Sequence, residues 1–385
     1  MSKVWDLSPQ QKALNGQKTV IVGMSGGVDS SVTALILKKQ GFNVIGMFMK
    51  NWEEEDENGV CQASKEYADV VKVCEKIDIP YYSVEFVKEY RDNVFAHFLE
   101  EYKAGYTPNP DILCNREIKF KVFYQKAREL GADLLATGHY CQTDGEGNLI
   151  KGADQGKDQT YFLYAVKKPV LEHVLFPIGG LQKSEVRAIA HEYDLATASK
   201  KDSTGICFIG ERNFKNFLSQ YLPAKSGEFQ LLSGEVVGKH DGCAFYTPGQ
   251  RKGLGLGGQG EPWFVLGKDV AKNIVFVERG ERHPAMFCDE LTATEIDWVD
   301  PDFKFEGELR VKAKVRYRQA DQDCIVTSIG DDRLLVRFDI PQRAVTTRQS
   351  IVFYNGDRCL GGAMIEAAGE SYFERNKELP ETVGN

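Results

Sequence analysis

Long apolar runs and targeting signals are missing from this sequence. No stretch approaches the ~20 apolar residues of a membrane-spanning helix, which excludes that class of protein. The first 18 residues carry no apolar core segment and no Arg and Ser bias, as a secretory signal or a transit peptide would. We therefore expect a cytoplasmic protein with no membrane partner.

Paired cysteines are also missing. The chain has nine cysteines, but no two of them form a CxxC pair. An odd number at irregular spacing argues against a secreted disulfide framework. The absence of paired thiols argues against a cysteine-rich zinc or iron–sulfur site. We expect reduced thiols, of which one or two are reactive.

An excess of positive charge is the third absence, since the net charge is −8. The average hides a segregated surface. Five basic residues alternate with apolar ones, so a strand would place all five on one face, which suits a nucleic-acid backbone. The alternative is a solvated face neutralised by the nearby Asp321, Asp323, Asp331 and Asp332. The five are Arg310, Lys312, Lys314, Arg316 and Arg318.

The order of apolar runs predicts an α/β protein with further β-rich parts. Strand-like and helix-like segments alternate over residues 19–140, which is typical of a parallel sheet covered on both faces. Beyond about residue 220, short alternating runs and glycine-rich turns predict a small β-rich central domain and a C-terminal β-barrel, in which Asn355-Gly356 supplies the turn of a hairpin. The predicted divisions are a disordered lead-in at 1–17, an α/β domain at 18–222, a central domain at 223–290, a barrel at 291–368 and a loose tail at 369–385.

A glycine- and serine-rich loop lies between the first strand and the first helix. Unpaired backbone N–H groups and the helix dipole favour an anion at such a junction, and glycines let a phosphate approach the backbone. Asp29 can help to hold a divalent cation or cap the helix. The loop matches neither GxxxxGK[ST] nor GxGxxG, and the alternative is an ordinary turn. Its residues are Gly23, Met24, Ser25, Gly26, Gly27, Val28, Asp29, Ser30 and Ser31.

Two cysteines have a setting that favours a thiolate. Cys114 precedes a helix predicted over 116–130, with Asn115 as its expected N-cap and Arg116 beside it. Asp111 is close enough in sequence to act as an acid or a base. Cys207 follows a basic, polar loop and also precedes a predicted helix. The alternative for both is a buried apolar role, which we accept for the other seven cysteines.

His139 follows the predicted strand at 133–137, at an edge where ligands tend to bind in such sheets. The alternative is an ordinary turn histidine. The glycine-rich stretch at 253–260 leads into a strand, so it lacks the helix N-terminus of a phosphate site.

Several motifs taken together resemble the bacterial tRNA-specific 2-thiouridylases of the MnmA family. The resemblance runs from about residue 18 to about residue 366. The loop SGGVDSS is shared with other ATP enzymes of the pyrophosphatase-loop (PP-loop) superfamily, whereas the segments around Cys114 and Cys207 are specific. The motifs include SGGVDSS, TPNPDILCNREIKF, LLATGHY, KDQTYFLY, KKDSTGICFIGER, TPGQRKGLG and VRYRQ.

The resemblance implies a role for each matching position. Residues 23–30 of the loop, Met49 and Gly138 would bind ATP. Cys114 matches the family's nucleophile and Cys207 the cysteine that carries a persulfide. The positions that match the target-base contacts are Asn109, Pro110 and Asp111, and those that match other tRNA contacts are His139, Lys157, Asp158, Gln159, Arg316, Tyr317 and Gln349.

The resemblance also implies a reaction. ATP with Mg²⁺, held near Asp29, would adenylate the 2-oxygen of the wobble uridine in tRNAs for Lys, Glu and Gln. Cys207 would receive sulfur from a sulfur-relay protein, and a Cys114–Cys207 disulfide could remain. Two rival hypotheses are an adenylating synthetase for a small metabolite and a non-catalytic RNA-binding protein.

Overall fold

A computed structural model describes residues 4–53, 62–202, 214–222, 225–330 and 332–384, and the structural statements that follow concern these residues. They form three sheets with helices packed around the first. The helices are α1 Pro9–Asn15, α2 Val28–Lys39, α3 Gln62–Lys76, α4 Val87–Tyr90, α5 Ala96–Lys103, α6 Pro110–Leu113, α7 Tyr124–Glu129, α8 Lys168–Leu171, α9 Lys183–Glu192 and α10 Phe214–Ser219.

The N-terminal sheet is parallel and has the strand order β3-β2-β1-β4-β7. Successive side chains of its central strand enter two different cores: Ile21 one, Val20 and Val22 the other. This period of two, with both faces covered, produces the nearly continuous apolar run of that strand. The strands of this part are β1 Thr19–Met24, β2 Asn43–Lys50, β3 Tyr81–Glu85, β4 Leu134–Ala136, β5 Cys141–Thr143, β6 Leu149–Lys151 and β7 Val174–Leu175.

Two of the helices are longer than their α-helical parts. A π-helical segment, Arg91–Phe95, joins α4 to α5, and another, Cys114–Phe123, joins α6 to α7. The second of these helices runs continuously from Pro110 to Glu129. It therefore begins six residues before the start predicted at residue 116. Short 3₁₀ turns occur at Thr160–Phe162, Cys243–Phe245 and Pro284–Met286.

The central part is a four-stranded sheet in the order β10-β11-β8-β9. The glycine-rich stretch at 253–260 leads into a strand, as predicted, and no helix among the described residues begins there. The strands are β8 Gly227–Gln230, β9 Val236–His240, β10 Trp263–Asp269 and β11 Ile274–Arg279.

The C-terminal part is a closed barrel. Its strands follow the order β12-β15-β14-β13-β16-β17, and β17 pairs back onto β12. The hairpin predicted at Asn355-Gly356 is confirmed, because β16 and β17 pair antiparallel across it. The strands are β12 Phe287–Trp298, β13 Glu308–Lys314, β14 Gln322–Ser328, β15 Leu334–Arg343, β16 Ser350–Asn355 and β17 Arg358–Ala368.

The N-terminal part contributes a hairpin to the barrel sheet. Strand β6 pairs with β17 through Ile150 and Arg358, and β5 pairs with β6. Lys151 is buried there, where it pairs with Asp321 and lies over the Tyr354 ring, 4.3 Å from its centroid. One apolar core thus spans both domains.

Both ends of the described chain are packed, so the predicted disordered lead-in and loose tail are wrong there. Trp5 is buried against Tyr193, and Ser8 caps α1. At the other end, Arg375 pairs with Asp289 at 3.0 Å. Sparse but well-placed apolar and capping residues order these polar segments. Within the described ranges, every helix is too short or too polar to cross a lipid bilayer.

Candidate active site

The loop between β1 and α2 has the geometry of an anion site. Its helix begins after Gly27, whose lack of a side chain leaves the first N–H groups of α2 without a capping side chain. Gly26 has a left-handed φ of +72°, and a Cβ there would lie 2.6 Å from the Glu66 carbonyl oxygen. Ser30 Oγ accepts a hydrogen bond from the Ser25 N–H at 3.2 Å. The loop is thus tightly folded and held against α3.

Residues at the ends of the neighbouring strands close around this loop. β2 and β4 lie on opposite sides of β1, so the order in which strands are added to the parallel sheet changes direction next to β1. α/β folds bind ligands at the carboxyl ends of the strands at such a point. A Cβ on Gly138 would lie 2.8 Å from the Ser30 backbone nitrogen. Met49, the other predicted ATP contact, lies half-buried near the end of β2.

Asp29 is held by two groups that the sequence analysis missed. Lys183 Nζ lies 2.7 and 2.8 Å from the two carboxylate oxygens of Asp29. The Tyr140 hydroxyl donates to the same carboxylate at 2.8 Å. Lys183 opens helix α9, where the dipole disfavours a cation. A lysine in the first turn of a helix is unusual, but this local signal could not identify Asp29, 154 residues away, as its partner.

Asp202 forms the other half of this network. Its carboxylate accepts from Lys183 at 3.0 Å and from Lys157 at 2.7 Å, and it pairs with Arg187. Burial opposes the charged form of Asp202, but hydrogen bonds from the two lysines lower its pKa well below the ordinary value. Lys183 therefore bridges the phosphate loop to the last described residue before the segment 203–213. Cys207 belongs to that segment and lies outside the described residues.

Lys200 fixes the same stretch of chain from another side. Its Nζ donates to the Gly26 carbonyl oxygen and to the Asp69 carboxylate, both at 2.9 Å. The loop backbone, helix α3 and the chain that leads to residue 202 are therefore joined by one cation.

Cys114 lies inside a helix rather than before one. Asn109 is the N-cap, since its side chain accepts from the Asp111 N–H at 3.2 Å, and Pro110 occupies the first position. The prediction of Asn115 as the cap is therefore wrong. Cys114 is buried, and Asp111 precedes it by three residues, which places both on one helix face.

Arg116 is engaged by acids instead of being available to the Cys114 thiol. Its guanidinium contacts Glu117 at 2.8 Å and Asp297 of the barrel at 3.0 Å. Asn115 donates to the Phe162 carbonyl at 2.9 Å, while its side-chain oxygen is buried without a hydrogen-bond partner. The helix carrying Cys114 is thus tied to the barrel on one side.

His139 lies between the loop and this helix. Its ring packs at a tilt against Phe120 and edge-to-face against Phe176, with centroids 5.8 and 6.3 Å away. Its Nδ1 lies 2.7 Å from the Thr137 hydroxyl. Burial, helped by the charge of Lys119, lowers the pKa of His139 well below its ordinary value. The neutral ring is therefore the form present at neutral pH.

The predicted tRNA-contact group at 157–159 builds structure around the site. Besides its bond to Asp202, this segment reaches Tyr140, whose N–H donates to Gln159 Oε1 at 2.9 Å. Asp158 is buried and accepts from the Gly152 N–H at 3.0 Å and the Thr160 hydroxyl at 2.8 Å. Because Tyr140 also donates to Asp29, this segment supports the phosphate loop.

The five cations predicted to share a strand face do not form one free basic surface. Strand β13 ends at Lys314, so Arg316 and Arg318 lie beyond it. The apolar residues between the cations of β13 are buried as predicted, but Lys314 is buried as well, near the Tyr354 ring. Within β13 each cation has an acidic neighbour: Arg310 pairs with Asp339, Lys312 with Asp323 at 3.8 Å and Lys314 with Asp321 at 3.6 Å.

Arg316, Tyr317 and Gln349 lie where domains meet. Arg316 Nη2 donates to the Pro248 carbonyl at 2.8 Å and the Ala344 carbonyl at 2.9 Å, and burial lowers its pKa. The Tyr317 ring lies 4.4 Å from that of Phe162. The three side chains therefore have partners within the protein.

The other described cysteines are buried, as the apolar interpretation expects. Burial raises the pKa of Cys74 to about 12, of Cys288 to about 11 and of Cys324 to about 12, and it raises those of the remaining three as well. Thiolate chemistry is disfavoured at these positions.

Comparisons with known proteins agree with this arrangement. Family models match the tRNA methyl transferase HUP domain at residues 18–211, the tRNA methyl transferase PRC-barrel domain at 215–279 and the Aminomethyltransferase beta-barrel domain at 288–365. The tRNA-specific 2-thiouridylase MnmA of Protochlamydia amoebophila is 59% identical over 374 residues, which cover 95% of this chain and 98% of that protein. The chain belongs to the MnmA family.

A second MnmA relative, from Bacillus subtilis, is 57% identical over 350 residues, covering 90% of this chain and 94% of that protein. Among solved structures, the U34-tRNA thiolase NcsA of Methanococcus maripaludis is 20% identical, covers 51% of this chain and 67% of that chain, and has a TM-score of 0.33. The MnmA relationship confirms the motif resemblance, and the matched models confirm the predicted order of α/β domain, central β-rich domain and barrel.

Proposed function

We propose that this protein is an ATP-dependent tRNA sulfurtransferase that replaces the 2-oxygen of the wobble uridine with sulfur. The observation that carries the proposal is the Lys183 bridge between Asp29 and Asp202. Asp29 belongs to the phosphate loop, and Asp202 begins the segment that leads to Cys207. The site for nucleotide activation and the chain that carries the sulfur are thus linked through one side chain.

The first step is activation of the uridine. Gly27 at the N-cap and Gly138 against the first turn of α2 carry no side chains, so ATP phosphates can approach the backbone N–H groups of α2. The 2-oxygen of the base attacks the α-phosphorus, and pyrophosphate leaves. The former carbonyl oxygen becomes part of a good leaving group. The loop amides stabilise the charge on the pyrophosphate.

Mg²⁺ fits this site as a companion of ATP. The described residues hold no cluster of three metal-ligating side chains. Mg²⁺ characteristically uses one or two carboxylates together with substrate phosphates and water. Asp29, and Asp202 across Lys183, are carboxylates of that kind, and Lys183 would have to give up part of its contact. The ion would neutralise charge on the phosphates.

Sulfur transfer then involves the two cysteines. The terminal sulfur of a Cys207 persulfide attacks C2 of the activated base, and AMP leaves with the original oxygen. The Cys114 thiolate attacks the Cys207 sulfur, which breaks the S–S bond, releases the thiolated uridine and forms a Cys114–Cys207 disulfide. An external thiol reductant supplies two electrons to restore both thiols. Asp111, on the same helix face as Cys114, can take up the thiol proton.

The partners follow from this chemistry. The substrate is tRNA, with those for Lys, Glu and Gln as the proposed set, and the sulfur comes from a persulfide-carrying relay protein. The proposed base contacts are Asn109, Pro110 and Asp111, and the proposed further tRNA contacts are His139, Lys157, Asp158, Gln159, Arg316, Tyr317 and Gln349. Several of these side chains are bonded within the protein, so tRNA would have to exchange those bonds for its own.

The names of the matching domain models mention methyl transfer, but the site favours a different reaction. A loop that exposes helix N–H groups next to clustered lysines suits a polyphosphate. Transfer of a methyl group needs no polyphosphate. ATP cleavage is therefore the better explanation of this geometry.

The test is pyrophosphate release by the purified chain with ATP and Mg²⁺, with and without wobble-uridine tRNA. We expect release that depends on tRNA, and thiolated product when a persulfide donor is added. Cys114→Ser and Cys207→Ser should abolish thiolation while tRNA still binds, and Cys324→Ala, a buried cysteine in the barrel, is the matched control. Release without tRNA would favour a small-metabolite synthetase, and normal thiolation by either serine variant would overturn the assignment.

A further inference from the structure

A strained corner of the barrel contacts helix α5 and the chain that leads from α5 to the helix carrying Cys114. Arg348, just before β16, has a left-handed φ of +67° although it is not a glycine. Such a backbone costs about 1 kcal/mol or more and persists only where the surroundings hold it. Here its N–H donates to the Ile365 carbonyl at 2.9 Å. From this corner the consecutive side chains of Arg348 and Gln349 extend to α5 and to the chain that follows it.

The side chain of Arg348 contacts helix α5. The Arg348 guanidinium makes a two-pronged contact with the Glu101 carboxylate, with Nε at 2.9 Å, and it also reaches Glu295 at 2.7 Å. The side chains of Arg348 and Glu101 are 27% and 20% exposed, so water screens this pair less than a surface pair. A planar, bidentate contact also fixes direction.

The second side chain holds the chain beyond α5. Gln349 donates to the Thr107 carbonyl oxygen, and the Thr107 hydroxyl lies 3.1 Å from that of Thr247 in the central domain. Residue 107 is therefore touched by the barrel and by the central domain at once.

Eight residues connect Glu101 to the start of the next helix, and they are fixed along their length. Gly105 ends α5 with a φ of +85°, and the Tyr106 N–H donates to the Glu101 carbonyl at 2.9 Å. Asn109 follows directly as the cap of the helix with Asp111 and Cys114. Any displacement at Glu101 or Thr107 is thus passed to the helix start.

We propose that Arg348 and Glu101 are positioning residues that set the register of the Asn109–Asp111 segment and of Cys114 against the target uridine. The inference rests on the proposed function and adds that the barrel takes part in catalysis by aligning the reactive helix. Loss of the pair would leave ATP and tRNA binding largely intact and would impair the chemical step.

The experiment compares Glu101→Gln and Arg348→Met with the wild type. Each removes the ion pair with little change in volume. A misplacement of about 1 Å at a reactive group can cost about 100-fold, so we expect the kcat of thiolation to fall about 10- to 100-fold while the KM values for ATP and tRNA change less than about threefold. Alkylation of Cys114 by a small maleimide should also change in rate.

Three further variants keep the result interpretable. Glu366→Gln breaks the exposed Arg333–Glu366 pair within the barrel, in which two guanidinium nitrogens donate to one carboxylate oxygen, and it should leave kcat unchanged. Arg348→Lys keeps the charge without the bidentate geometry, so partial recovery is expected relative to Arg348→Met. Glu101→Asp is the gentler change if the other variants fold poorly.

Unchanged kcat in folded Glu101→Gln would overturn the inference, and so would a fall in kcat that merely follows a loss of thermal stability or of tRNA affinity. An inactive wild type would instead sink the proposed function. The two failures are therefore distinguishable.

Discussion

Two regions of this protein carry clustered cations, and they differ in what the cations face. At the phosphate loop, Lys183 and Lys200 hold the loop and its surroundings in place around bare helix N–H groups. On β13, Arg310 and Lys312 each face an aspartate across the strand pairs. Charge alone does not make an anion site. Backbone geometry that leaves donors unpaired does, and only the first region has it.

The largest effect is expected when a side chain is placed against the phosphate loop, which tests whether the loop binds ATP. Gly138→Ala adds a Cβ 2.8 Å from the Ser30 nitrogen and 2.9 Å from the Asp29 carbonyl carbon. Forcing an atom into a packed site costs about 1–3 kcal/mol, and a penalty of that size on the bound state would weaken the affinity for ATP about 5- to 150-fold. Calorimetry with ATP and Mg²⁺ checks this. Gly267→Ala, where a Cβ meets nothing within 4 Å, should bind ATP normally; equal binding by both variants would contradict the loop assignment.

Removing the bridging cation should have the next largest effect. Lys183→Met leaves Asp29 without its cation next to the incoming triphosphate, whereas Asp202 keeps Lys157 and Arg187. The repulsion from Asp29 should lower kcat/KM for pyrophosphate release about tenfold. Steady-state kinetics against ATP concentration measure it. Lys76→Met, which breaks the exposed pair with Asp194, serves as the control and should be silent. An unchanged kcat/KM in Lys183→Met would show that the Lys183 bridge has no role in the mechanism.

Removing the acidic partners of the β13 cations should have a small effect, and it should strengthen RNA binding and not weaken it. Asp323→Asn combined with Asp339→Asn frees Lys312 and Arg310, so RNA affinity at low salt should rise about two- to threefold with a steeper salt dependence. Filter binding over a salt series is the measurement. The matched change of Arg310 and Lys312 to Gln should alter affinity less than about twofold. A large loss there would show that this strand does bind tRNA.

Lys268 represents a third setting for a cation, since it lies neither at the phosphate loop nor opposite an aspartate on the paired strand. Its substitution should change the stability of the protein and not its activity. Burial lowers the pKa of Lys268 to about 8 from 10.5, and its Nζ donates to the Tyr246 carbonyl at 2.8 Å. The unfolded chain then binds more protons between these values, so wild-type stability rises with pH across that window. Lys268→Met lacks this gain. Its Tm relative to wild type should therefore fall from about pH 7 to about pH 10, and a constant difference would contradict the shift.

Much of the fold and of the candidate site could be predicted from local sequence signals. Gly26 and the Asn355-Gly356 turn need backbone conformations that few residues adopt, so their positions were visible in the sequence. Asn109-Pro110 is also a local helix start, and the choice of Asn115 overlooked it.

Long-range pairs could not be predicted. The residues around Asp29 do not indicate that Lys183, 154 residues away, is its partner. The sequence likewise gives no sign that Arg348 pairs with Glu101, 247 residues away. Alternation along β13 correctly predicted that Val311 and Ala313 point inward, but Lys314, predicted on the exposed face, is buried. It could not show that Asp339 would pair with Arg310, because that contact depends on which strands become neighbours.

The hairpin β5–β6 has a consequence for how the chain can be divided. Its outer partner is β17, near the C-terminus, so a fragment that stops after the first domain would expose the hydrogen-bonding edge of β6 and the apolar side chains of Leu149 and Cys141. Such a fragment should aggregate or remain incompletely folded. The first domain and the barrel should melt in one cooperative transition, and the catalytic half completes its own folding only after nearly the whole polypeptide has been synthesised.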